Sequence, residues 1–185
     1  MANKVEFGIS NLHVGTYTVT NGTVTLGTPY HQAGAVSFSP SEDSSENNFY
    51  ADNIAYFSDY TDGTISGDLT VAMFDDAFKT QFLGYRATTD GGLAKVKNSV
   101  KPKVYVAFQV EGDAESRRVI YYNCSLGAIT REYTTIEDAK TPNTEALSMT
   151  CAGDSVSGVG FAVYKPADTG YSTLFTAPTA PELAP

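Results

Sequence analysis

The sequence predicts a mostly β protein of the α+β class: an antiparallel β-sandwich or barrel-like fold with one short flanking helix and a long projecting loop. Three observations support this prediction. Apolar and polar residues alternate in many short stretches, which is the period of a half-buried strand. The chain is rich in Phe (10), Tyr (12) and Gly (16), a composition that favours sheet. A helical period occurs only at about residues 75–83.

Length and charge limit the class of protein. A chain of 185 residues favours one domain, here a β domain over residues 1–165 followed by a Pro-rich C-terminal arm or tail over residues 166–185. The net charge of −9 argues against binding nucleic acid by neutralising phosphates. No stretch has the ~18 apolar residues of a membrane span, and the first residues lack the apolar core of a signal peptide. We therefore expect the chain to stay in the cytoplasm after synthesis.

The chain has two cysteines, Cys124 and Cys151. In a cytoplasmic protein they are expected to be reduced and to act as small hydrophobic residues within strands. A disulfide between them is the less favoured alternative.

The N-terminal residues predict a hairpin. Alternating residues between 5 and 26 are interrupted by Asn21-Gly22, the strongest short signal for a hairpin turn. Pro29 closes this unit because it cannot donate a ladder hydrogen bond. Alternation resumes at residues 34–38.

The next segment, residues 39–48, is almost entirely polar and predicts a projecting loop at about residues 39–50. It is either a solvated loop or an arm that a partner subunit orders. Residues 49–57 are aromatic on both strand faces, so one face is expected in the core and the other in an interface. A turn is predicted at residues 61–63, before a strand at residues 67–73.

The helix is predicted from capping and periodicity. Asp75 or Asp76 is expected to cap its N-terminus, and Phe74, Phe78 and Phe82 form one apolar stripe. Beyond it, a basic loop extends to about residue 103. A long antiparallel hairpin is predicted from strands at residues 104–110 and 117–129, and further strands at residues 145–151 and 158–164. After residue 165 the chain is expected to be an extended arm or disordered.

Catalytic and metal-binding motifs were not found. His13 and His31 have no metal ligands at suitable spacing, and phosphate-binding loops, nucleophile elbows and zinc-protease motifs are missing. The aspartates between residues 52 and 76 do not have the spacing of a calcium loop. We therefore predict a protein that is not an enzyme and that needs no cofactor or metal.

Several segments, taken in order, resemble the major tail proteins, or tail tube proteins, of long, non-contractile-tailed (siphovirus-type) phages of Gram-positive bacteria. These segments are Asp52-Asn53 with Tyr56-Phe57, and residues 67–70, 78–84, 105–110, 118–122 and 144–151. The resemblance covers about residues 1–165 and rests on order and spacing rather than on one motif.

This resemblance implies a tail-tube fold whose copies form hexameric rings. The rings would stack around the tape-measure protein into a tube that conducts DNA without binding it specifically, and tail-terminator and baseplate proteins would be further partners. The protein would be assembled in the host cytoplasm and reside in the tail of the virion. The loop at residues 39–48 would reach an adjacent subunit or ring.

We expect the acidic loop and the basic loop to pair between subunits, because −9 on every copy opposes assembly unless charges are paired. The predicted contact residues are Ser41, Glu42, Asp43, Ser44, Ser45, Glu46, Asn47, Asn48, Phe49, Tyr50, Lys95, Lys97, Lys101 and Lys103. Two alternatives remain: a monomeric β-sandwich module that binds carbohydrate or mediates adhesion, and a tube protein of a secretion system. The first would usually carry Trp, and the chain has none.

Overall fold

The structure, a computed structural model, describes residues 5–112, 115–135 and 142–183. The prediction of a mostly β, antiparallel fold with one short helix is confirmed. The strands and the helix are β1 (Gly8–Thr20), β2 (Thr23–Leu26), β3 (Tyr30–His31), β4 (Ala35–Ala51), β5 (Ile54–Val71), α1 (Asp76–Phe82), β6 (Tyr85–Ala87), β7 (Leu93–Lys95), β8 (Val104–Glu111), β9 (Arg118–Arg131), β10 (Glu145–Cys151) and β11 (Phe161–Tyr164).

Nine of these strands form one open antiparallel sheet. Seven of them follow the order β2-β1-β8-β9-β10-β5-β4, and the other two lie beside this path: β3 pairs with β1, and β11 pairs with the first part of β9. Strands β6 and β7 form a separate small hairpin. The hairpin predicted at Asn21-Gly22 is confirmed, since both residues have positive φ (52° and 76°) between β1 and β2.

Strand β8 is buried on both faces and therefore separates two apolar cores. Its residues Val104, Val106 and Phe108 belong to the larger core, and Tyr105 and Ala107 belong to the smaller one. The sheet curls so that Phe38 near the start of β4 reaches Phe108 and Tyr121, at ring distances of 5.7 and 5.2 Å. The fold is thus barrel-like in shape while the sheet stays open.

The predicted helix is confirmed as α1. Phe74, Phe78 and Phe82 are all buried in the larger core. Asp75 has the extended backbone of an N-cap, but its carboxylate accepts a hydrogen bond from Tyr30 (3.2 Å) instead of capping the helix. Glu145 of β10 attaches the helix to the sheet, because it accepts from the Phe74 N–H (2.8 Å) and lies 3.7 Å from Lys79 Nζ.

The prediction of a projecting loop at about residues 39–50 is wrong, because this segment is a strand. These residues belong to β4, which pairs with β5 along its whole length. The turn lies at Asp52-Asn53, both with positive φ (52° and 61°), and not at residues 61–63. Asp and Asn tolerate this left-handed region, so the pair makes the reversal of chain direction.

The prediction of two reduced cysteines is also wrong. Cys124 and Cys151 lie directly opposite each other in the β9–β10 register and form a disulfide. Both side chains are buried in the larger core. Spacing along the chain could not show this register, which depends on how two strands 27 residues apart pair.

The segment after β11 folds back on the sheet rather than extending away from it. Leu174 is buried in the smaller core. The guanidinium of Arg118 lies over the rings of Tyr171 and Phe175, 4.0 and 4.3 Å from their centroids. These contacts cover the second face of β8 and β9.

The loop between β10 and β11 is organised by a buried carboxylate. Asp154 accepts hydrogen bonds from the hydroxyl of Tyr17 (2.8 Å), from the N–H and hydroxyl of Ser157 (both 2.6 Å) and from the N–H of Val156 (3.2 Å). Burial alone raises the pKa of Asp154, but the hydrogen bonds outweigh it and hold the pKa below its ordinary value.

We expect Asp154→Ala to lower the free energy of unfolding by about 2 kcal/mol at pH 7, because it leaves buried donors unpaired. A depressed pKa stabilises the fold above the unfolded value of about 3.9 and ceases to do so as pH falls through the folded value. In denaturant titrations, the difference in free energy of unfolding between wild type and Asp154→Ala should therefore become smaller below about pH 4. Asp90→Ala, at an exposed turn, is the control, and a constant difference down to pH 2 would contradict this account.

The disulfide gives a second prediction. Cys151→Ser should lower the free energy of unfolding of the oxidised protein by about 3 kcal/mol, since a loop of this length is no longer closed in the unfolded chain. The wild-type protein, unfolded without reductant, should bind no thiol reagent and should bind two equivalents after reduction. Two reactive thiols in the unreduced denatured protein would disprove the disulfide.

Candidate assembly surface

The most exposed part of the fold is the arm, which we define as residues 42–64. Strand β10 pairs with β5 only as far as Cys151 opposite Ile65, so beyond this point β4 and β5 pair only with each other. The ten residues from 42 to 51 extend about 33 Å from the body at the rise of a β-strand. The arm is therefore a two-stranded ribbon that projects by about the width of a small domain.

The arm is strongly acidic. It contains six acidic residues and no Lys or Arg, and thus carries most of the net charge of −9. These acidic side chains are exposed: Glu42, Asp43, Glu46, Asp52, Asp59 and Asp62. Within the described residues, none of the six forms an ion pair. Their charges are left for a partner or for solvent.

Large apolar and aromatic side chains flank the Asp52-Asn53 turn at the end of the arm. We call this group the tip: Phe49, Tyr50, Ile54, Tyr56 and Phe57. Phe49 pairs with Phe57 across the two strands, and the rings share one face. Their side chains are 62% and 56% exposed. Other large side chains at or near the tip are similarly exposed: Tyr50, Ile54, Tyr56 and Tyr60. Such a patch marks an interaction surface, because monomeric proteins seldom leave so many neighbouring rings in water.

The four predicted lysines lie on the body. Lys95 Nζ donates to the Leu83 carbonyl (2.6 Å), Lys101 Nζ donates to the carbonyls of Leu126 (2.9 Å) and Gly127, and Lys103 Nζ donates to Ser125. Carbonyls and hydroxyls do not neutralise these cations. Lys95, Lys97 and Lys101 line one shallow basic groove. Burial, and then the charge of Lys95, lowers the pKa of Lys101.

The structure thus brings the predicted residues 42–50 together on one arm, with Ser41 at its base, and three of the lysines together on one groove. It does not bring the two groups together by an ion pair within the described residues. The sequence analysis placed one face of residues 49–57 in the core, and this is wrong, because Phe49, Tyr50, Ile54, Tyr56 and Phe57 are all exposed. The arm projects past the end of β10, so neither face of this segment meets the body.

A second surface feature was not found from the sequence. An apolar groove of about 340 Å³ opens beside the base of the arm. Its lining comes from β1, β4, β8, β9 and β11, and includes Ile9, Phe38, Phe108, Val119, Tyr121 and Phe161. We call this site the aromatic groove. Strand alternation alone could not reveal it, because it forms where distant strands meet in the curled sheet.

The described residues include no group of three or more His, Cys, Asp or Glu that could hold a metal ion. Among those residues, no helix is long and apolar enough to span a membrane.

Comparisons with known proteins agree with this architecture. The cap that terminates the tube of the anti-feeding prophage has a similar structure, with a TM-score of 0.51 over 88% of this chain and 95% of that chain. Identity is 9%, so this likeness shows a shared fold. Among curated proteins, none matches the sequence. A family model described as phage tail tube protein matches residues 2–160. This match spans most of the sequence, and the chain belongs to the phage tail tube protein family.

Proposed function

We propose that this structural, non-enzymatic component of the virion tail assembles into hexameric rings, and that the rings stack around the tape-measure protein into the tube through which DNA leaves. The proposal includes a siphovirus-type phage of a Gram-positive host, assembly in the host cytoplasm, and contacts with tail-terminator and baseplate proteins. The observation that carries it is the arm, a ribbon that has no third strand and ends in exposed aromatic residues.

The arm is suited to bind another copy of the chain. An isolated two-stranded hairpin is at best marginally stable in water, so the arm gains stability by packing on a partner. An arm and the surface that receives it are different parts of the molecule. A contact of this heterologous type produces closed rings or open filaments rather than a simple dimer, and a stacked tube combines both.

Charge supports the same proposal. The basic groove with Lys95, Lys97 and Lys101 offers cations to the acidic flanks of an arm from another subunit. Charges that remain exposed toward the lumen would be mostly negative and would repel DNA phosphates, which favours passage without binding.

The first test is negative-stain electron microscopy of the purified protein, with light scattering over a range of concentrations. We expect tubes, or rings with six-fold symmetry, and a scattering mass that rises with concentration. A protein that stays monomeric at high concentration and binds glycans in a screen would instead be a binding module, and this outcome would contradict the proposal.

A second test reverses the charge of the arm. We expect the triple variant Glu42→Lys, Asp43→Lys, Glu46→Lys to form far fewer tubes, because the basic groove of the neighbouring subunit would then face like charges. Pelleting of tubes at physiological salt measures the yield. The matched control carries Asp90→Lys, Glu132→Lys and Glu182→Lys, which change the net charge equally at exposed positions outside the arm. Unchanged yield in the arm variant would rule out this pairing.

A further inference from the structure

The aromatic groove has no role in the contacts described so far. Its floor is a row of rings, with Tyr121 at 5.2 Å from Phe38 and at 5.4 Å from Phe161. Phe161 and Val163 at its side are 39% and 42% exposed, so the groove is accessible. An apolar concave site of this kind binds an apolar guest, because filling it removes apolar surface from water on both sides.

We propose that the aromatic groove is the receptor for the arm tip of a second copy of this chain, with Phe49 and Phe57 as the inserted side chains. This inference rests on the proposed self-assembly and names the surface that the arm meets. It makes each subunit both a donor and an acceptor of a tip.

Shape and chemistry match between the two surfaces. Phe49 and Phe57 lie side by side on one face of the arm, so both rings enter a site from the same direction. A cavity of about 150 Å³ holds benzene. The groove volume of about 340 Å³ therefore suits two phenyl rings. Its rings at 5–6 Å spacing offer edges and faces to a guest ring, which is the geometry that aromatic pairs prefer.

The charges select the tip rather than the flanks of the arm. Glu6 and Arg117 at the rim of the groove form an ion pair with each other (2.6 Å), so the rim has little net charge. The acidic flanks gain little there and are better placed against the basic groove. The rings of Phe49 and Phe57 are neutral and lose no charge pairing when they are buried, while the charge of Asp52 lies beyond them at the turn.

The reach of the arm excludes its own tip as the occupant. Phe38 lines the groove and lies in the same strand as Phe49, 11 residues away. A continuous strand of that length spans about 36 Å. The tip therefore cannot return to the groove at its own base, and it reaches the groove of another copy at a spacing of about one arm length.

The first experiment blocks the groove. Val163 lines it, lies opposite Val119 on the groove face of the sheet and is 42% exposed. We expect Val163→Trp to fold normally, as measured by circular dichroism and thermal unfolding, and to lower tube yield at least tenfold. Val156→Trp enlarges an exposed residue away from the groove and is the matched control.

The second experiment truncates the tip. Phe49→Ser with Phe57→Ser should cause the same loss as Val163→Trp. Tyr133→Ser removes an exposed ring outside the arm and should leave tube yield within twofold of wild type. Wild-type yield from both Val163→Trp and the double serine variant would overturn the inference.

The third experiment detects the contact directly. Ala51→Cys in one copy, which keeps Phe49 and Phe57, and Val163→Cys in another are mixed and treated with a short bifunctional maleimide. The native cysteines are buried and paired in the disulfide. We expect covalent dimers from the mixture and ladders from the double variant, at least tenfold more than with Val156→Cys in place of Val163→Cys.

The outcomes separate this inference from the proposed function. Failure of the tip-to-groove cross-link contradicts the inference, whether or not tubes form. If microscopy shows tubes but that cross-link does not form, the proposed function is supported and the tip binds a surface other than the aromatic groove. A wild-type protein that forms neither tubes nor rings and binds glycans contradicts the proposed function itself.

Discussion

A two-stranded ribbon without a third strand is the constraint on which the rest of this structure depends. Strands β4 and β5 continue their pairing well past the end of β10, so the residues of the arm gain no packing from the body. Cross-strand pairs contribute only tenths of a kcal/mol up to about 1 kcal/mol each, and they must offset the entropy of ordering every residue. The arm is therefore the part of the fold with the least support from the body, which is why we propose that another copy of the chain packs against it.

The body holds the base of the arm firmly. One row across the sheet joins Cys124, Cys151, Ile65 and Glu42 on four neighbouring strands, and its first two members are linked by the disulfide. The row lies where the sheet narrows from several strands to two. Below it, the packed faces of β8 and the ion pair of Glu145 with Lys79 resist bending. The disulfide and the packed body thus fix the direction of the arm at its base, although the arm itself has few contacts.

Sequence reasoning identified those parts of the fold that depend on local chemistry. The Asn21-Gly22 turn, the stripe of Phe74, Phe78 and Phe82, and the β8–β9 hairpin all follow from neighbouring residues, and the structure confirms them. Residues 39–50 were predicted as a projecting loop rather than a strand, because residues 39–48 are almost entirely polar and too many for a tight turn. The pairing of this segment, the disulfide and the aromatic groove each depend on the register of strands distant in sequence, which residue pattern alone does not determine.

The distribution of charge along the arm explains how an exposed ribbon avoids the wrong partners. Strand β4 is a long edge strand, and such edges template unwanted pairing with other chains. Two arms side by side would place six carboxylates against six others, so repulsion opposes edge-to-edge association. The rings of Phe49 and Phe57 at the tip are uncharged, and the proposed receptor for them is an apolar surface. The aromatic groove, with its rim charges already paired, is a surface of that kind. In the proposed assembly the acidic flanks and the aromatic tip therefore have separate roles, since the flanks oppose arm-to-arm contact and the tip contacts the body of the next subunit.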